Sequence, residues 1–114
     1  MAIDGDAHRF LVVFRSPPTL MALSSQDGHV VAQAETCGDA DDVFFDARRR
    51  RIYVSCGEGM VDVRQRDGTE IGRVPTRSGA RTALFVPELD RLIVAARAGL
   101  IGGTAQLLVY RPMP

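Results

Sequence analysis

The turn dipeptide Asp27-Gly28 returns as Asp67-Gly68, 40 residues later, and the strand-like runs around it return with it. The run Arg9-Phe10-Leu11-Val12-Val13 lines up with Arg51-Ile52-Tyr53-Val54-Ser55 and again with Arg91-Leu92-Ile93-Val94-Ala95, at offsets of 42 and 40. A period of about 40 to 45 residues made of short strands is the mark of propeller blades, each a four-stranded sheet that must stack on neighbours to bury its faces. The spacing predicts an all-β chain of three such blades in an incomplete ring.

Alternation and turn chemistry place the strands. In the first blade (1–36) they are Met1 to Asp4, Arg9 to Arg15, Leu20 to Ser24 and His29 to Glu35. The second blade (37–76) is the complete copy, with Asp42 to Asp46, Arg51 to Cys56, Met60 to Gln65 and Glu70 to Pro75. The third (77–114) offers Thr82 to Pro87, Arg91 to Arg97 and Ala105 to Tyr110 before Arg111-Pro112-Met113-Pro114, and lacks an outer strand. Its last strand should therefore be a free edge, and open edges of this kind predict self-association.

Fourteen basic residues against fourteen acidic ones remove the general electrostatic pull toward nucleic acid or anionic lipid. Apolar runs such as Phe10 to Phe14 are far shorter than the roughly 20 residues of a bilayer span, so no membrane crossing is expected. No positive segment followed by an apolar stretch opens the chain, so no secretory signal is read in it. Cys37 and Cys56 leave the compartment open. The burial preference of free cysteine favours two small core residues. A disulfide is the alternative, because Cys56 would sit opposite a residue near Asp41, with Cys37 four positions upstream.

The stretch from Gly38 to Asp46, the strand Tyr53-Val54-Ser55 with Cys56-Gly57-Glu58-Gly59, the segment Thr76 to Thr82 and Phe85-Val86-Pro87-Glu88-Leu89-Asp90-Arg91-Leu92 together resemble the C-terminal part of YncE-like, YVTN-type β-propeller proteins, a WD-like repeat architecture. What the resemblance implies is a seven-bladed ring of roughly three times this length, exported to the periplasm or secreted. Within that family Met1-Ala2-Ile3-Asp4 resembles an interior strand, so the resemblance implies a truncated or fragmentary chain, with a mini-protein that rebuilds a ring by self-association as the other reading.

In such blades the loop entering the innermost strand and the loop between second and third strands share the top face. Arg15, Asp41, Asp42, Glu58, Arg81 and Arg97 fall there, and they form the candidate site for a small polar ligand or a protein partner. Asp41 or Asp42 is expected to face Arg81 across a blade boundary, either as a ligand-binding pair or as structural ion pairing. Arg48-Arg49-Arg50-Arg51 reads as a solvated bottom turn. No Gly-x-Ser-x-Gly elbow, His/Glu metal motif or phosphate loop is present, so no catalytic residue, metal site or cofactor is assigned. The expected function is a binding scaffold. The alternative is part of a lactonase-like propeller enzyme using Asp41, Asp42 and Glu58 as metal or acid/base groups.

Overall fold

β-Branched and aromatic residues in short runs, broken by Asp-Gly and Gly-Glu-Gly turns, give eleven strands in the computed structural model, which describes residues 1–99 and 103–114. Strands β1 (Ala2–Asp4), β2 (Arg9–Arg15), β3 (Pro18–Ser24) and β4 (Val30–Glu35) form one antiparallel sheet in sequence order. Strands β5 (Ala40–Asp46), β6 (Arg51–Cys56), β7 (Met60–Gln65) and β8 (Glu70–Pro75) form the second. The third holds β9 (Thr82–Val86), β10 (Arg91–Ala96) and β11 (Gln106–Tyr110), and β11 pairs with β10 alone. The sequence reading of three meandering sheets, the last ending on an unpaired edge, holds among the described residues, none of which is helical.

The repeat extends to backbone angles. His8, Arg50 and Asp90 each take a positive φ, of 54°, 56° and 53°, at the residue just before β2, β6 and β10. Gly28 and Gly68 (79° and 93°) recur in the same way before the outer strands. Such left-handed positions cost a non-glycine residue about 1 kcal/mol and persist only where the surrounding ladder fixes them.

Period-two alternation gives each sheet two apolar faces, and the sheets stack face to face. Leu11, Leu20 and Ala22 of the first sheet meet Val43, Ile52, Val54 and Cys56 of the second. The opposite face of the second sheet, through Tyr53 and Val61, meets Phe85, Leu92, Val94 and Ala96 of the third. Tyr53 and Phe85 pack as a tilted pair with centroids 5.4 Å apart, a geometry that adds roughly 1 kcal/mol to simple burial. The close approaches between sheets run through β5, toward β1 and β2 on one side and β9 on the other, so the inner strands converge while the outer strands splay.

Buried ions tie the seams. Arg49, only 12% exposed, donates to Asp46 at 3.1 Å and clamps Asp90 of the next sheet through two bonds of 2.6 and 2.7 Å. This corrects the reading of Arg48 to Arg51 as a solvated turn. Arg48 and Arg50 follow it, but Arg49 is turned inward because Asp46, itself closed off from solvent, needs a cation once Tyr53 has donated its hydroxyl to the same carboxylate at 2.7 Å. Burial and that carboxylate hold the Tyr53 phenol well above its ordinary pKa. On the other seam, Arg66 reaches Asp4 at 2.7 Å. Buried Asp62 accepts from Thr36 at 2.7 Å and pairs with Arg64 at 2.8 Å.

The cysteines are joined. Cys37 and Cys56 form a disulfide with a Cα–Cα distance of 5.9 Å, against the reading of two free core thiols. Ladder register explains it: Cys56 stands opposite Ala40, and the loop before β5 folds back over the end of β6, where Gly57 donates to the Asp39 carbonyl and Glu58 to that of Gly38.

Candidate functional site

One end of the three sheets carries the site, and Asp39 is its hub. Asp39 has a positive φ of 56° and matches Gly79 of the next repeat, φ 84°, so the tight turn that enters the inner strand presents a carboxylate where its sister has none. The hub lies 3.4 Å from the Arg15 guanidinium of the first sheet and 2.8 Å from the Arg81 guanidinium leading into the third. Asp41 is the extra residue of a β-bulge, since Ala40 pairs with Cys56 and Asp42 with Ser55. A bulge re-aims its residue, and here it sends the Asp41 carboxylate to a charged hydrogen bond with Arg15. That bond, with the nearby Asp39 charge, raises the Arg15 pKa further above its ordinary value.

Glycine makes the room. A Cβ on Gly57 would overlap an Asp39 carboxylate oxygen and stand 3.0 Å from Arg81 Nε, so a side chain there would displace the ion pair. A Cβ on Gly38 would likewise meet Glu58 Oε2 at 2.7 Å, where that carboxylate accepts the Gly38 amide. The turn Gly57-Glu58-Gly59 is also stitched to the loop entering the third sheet, through Gly79 N–H to the Gly57 carbonyl, and to the end of β8 in its own sheet, through Thr76 N–H to the Gly59 carbonyl.

Of the six residues singled out in the sequence, Arg15, Asp41, Glu58 and Arg81 gather around the turn formed by Gly38 and Asp39. The expected partnership of Asp41 or Asp42 with Arg81 does not form. Arg81 pairs with Asp39, Asp41 turns to Arg15, and Asp42 accepts the amide of Val43 at 2.8 Å. The ion pairing does cross sheet boundaries. Arg97 lies beside Gly79, its carbonyl accepts from Arg77, and it lines a shallow depression with Arg81 and Gln106. Among the described residues no group of three or more His, Cys, Asp or Glu is placed to hold a metal ion.

Among solved structures, the chain superposes on the hydrazine synthase of Kuenenia stuttgartiensis with a TM-score of 0.75 at 12% identity, over 96% of this chain and 36% of that one. It superposes on a gluconolactonase from Xanthomonas campestris with a TM-score of 0.70 at 22% identity, over 97% of this chain and 36% of that one. The chain thus spans about a third of the proteins it resembles. At these identities the likeness shows the fold: three stacked sheets with converging inner strands are blades of a β-propeller. No protein-family model and no curated protein matches the sequence.

Proposed function

We propose that the chain serves as a binding scaffold, the blades of a propeller of the YncE-like, YVTN type, whose top-face lattice of arginines and carboxylates receives a small polar ligand or a charged loop of a partner. The observation that carries this reading is that one connected set of ion pairs, Arg15 to Asp41 and Asp39 to Arg81, joins the end of β2 in the first sheet to the entries of the second and third sheets. Exposed pairs of this kind add at most about 1 kcal/mol to stability, whereas a convergent, partly exposed set of opposite charges is well suited to exchange one partner for a ligand carboxylate or guanidinium. Two glycines held open for those carboxylates fit a site better than a generic surface. The disulfide supports an oxidising compartment for the protein.

The test is amide NMR titration of the chain with succinate as carboxylate probe, methylguanidinium as cation probe, and calcium chloride. Succinate should shift the amides of Gly57 to Gly59 and Gly79 to Thr82, and Arg81→Ala should abolish those shifts while the fold is kept. Shifts confined to another surface, or none with either organic probe, would refute the scaffold reading. Stoichiometric calcium binding at Asp41, Asp42 and Glu58 would instead favour the propeller-enzyme reading.

A further inference from the structure

Each sheet has a front, which meets the following sheet, and a back, which meets the preceding one. Front positions include Leu11 and Tyr53, and back positions include Ile52 with Val54 and Leu92 with Val94. Val54 and Val94 are both fully buried in the two internal seams. Val12 occupies the equivalent position on the back of the first sheet and is only half-buried.

Among the described residues that back is apolar without a neighbour. Ile3 and Phe14 are 59% and 47% exposed, and ladder register places Ile3 beside Phe10, Phe10 beside Leu23 and Val12 beside Met21. The front of the third sheet is bare in the same way. Leu84, Leu107 and Val109 are 58%, 70% and 59% exposed, with Leu84 and Val109 flanking Ile93 on either side, and Ile93 is the equivalent of buried Leu11 and Tyr53. The two free faces are therefore the same two halves that mate at each internal seam.

We propose that a second copy of this chain covers both faces, the front of the third sheet in each copy seating on the back of the first sheet in the other, about a two-fold axis along the channel. The occupant and the number follow from the seams already present. Front-on-back is the packing the chain uses twice internally, so continuing it needs no new kind of contact. Propeller rings close with about 4 to 8 blades. One copy supplies three and three copies would supply nine, so two copies are the number that closes. The extents of 48 × 31 × 20 Å, more than twice as long as deep, are the proportions of half a disc. In a two-fold ring each front–back contact is made twice, which satisfies point-group closure. The association runs through sheet faces, and the strand edge of β11 stays on the outer rim. Closure also sets a second copy of Arg15, Asp39, Glu58 and Arg81 around the same mouth.

Size-exclusion chromatography with light scattering, from one to a few hundred micromolar chain, tests this. The expected mass is twice the 12.4 kDa of one chain. Phe14→Glu and Leu107→Glu place a charge at residues already exposed in the single chain, so both should fold, as checked by near-ultraviolet circular dichroism. Each should run at one-chain mass, and an equimolar mixture should recover two-chain mass at the upper concentrations, because each variant keeps the face the other has lost. Ile3→Lys and Leu84→Lys repeat the experiment on the same faces if either variant is unfolded. A wild-type chain that stays single throughout, a single variant that still pairs, a mixture that stays single, or a mass that climbs past two chains would each overturn the proposal.

Discussion

Reducing the Cys37–Cys56 disulfide should cost about 3 kcal/mol of stability. The bond closes a loop with a sequence separation of 19, and the chain-entropy relation for a loop of that size gives roughly 11 cal/mol/K, or about 3.2 kcal/mol at 25 °C. Both sulfurs are sealed from solvent, so reduction requires opening, and the reduced state is best reached by unfolding in reductant before refolding. Urea unfolding of the oxidised and reduced wild-type chain, followed by circular dichroism, avoids the cavity that a Cys→Ala change would add. With a slope of roughly 1–1.5 kcal/mol per molar urea for a chain of this size, the midpoint should fall by about 2–3 M. Because the bond holds the turn carrying Asp39 onto the end of β6, hydrogen exchange at the Gly57 and Glu58 amides should quicken before exchange in β6. A midpoint shift below about 0.5 M, with exchange unchanged at those amides, would refute the loop-constraint reasoning and assign the turn's order to its hydrogen bonds alone.

Arg49→Met should lower stability by about 3 kcal/mol, because it leaves the Asp46 carboxylate buried with no cation, while Arg48→Met, at an exposed side chain, should cost under about 0.5 kcal/mol in the same urea assay. Acid lability should follow Asp90, whose pKa is held below the usual carboxylate range by its hydrogen bonds to Arg49. A depressed folded-state pKa contributes stability above the unfolded value of about 4, and that contribution is lost as pH falls through the lowered value; Asp90→Asn should flatten this part of the pH profile of the urea midpoint. Gly57→Ala should displace the Asp39 carboxylate, since the new Cβ meets a side-chain end and not backbone; a crystal structure or the Arg81 Nη–H NMR signals should report the lost ion pair, with the thermal midpoint nearly unchanged.

The strands are readable because their signals are local: alternation, Asp-Gly turns and a 40-residue echo place their ends within a residue, except that β3 and β5 each begin two residues early. What escapes depends on register across the ladder. The partner of Arg81 turns on the bulge at Asp41, which rotates that carboxylate toward Arg15 and leaves Asp39 for Arg81. A signal exists, since aligning Gly38-Asp39 with Ser78-Gly79 sets an aspartate against a glycine in the left-handed position. The disulfide needs the fold-back of a loop, which no spacing of two cysteines specifies. Arg49 in the run Arg48 to Arg51 carries no mark that separates it from its neighbours; only the closed pocket around Asp46 selects it.

His8, Arg50 and Asp90 share one backbone angle and nothing else: an imidazole, a guanidinium and a carboxylate hold the same bend. The repeat of these blades is thus carried at this position by chain direction and not by side-chain identity. A duplicated unit can exchange its charges and keep its joints, which leaves each blade free to acquire its own surface while the stacking that joins it to the next is preserved.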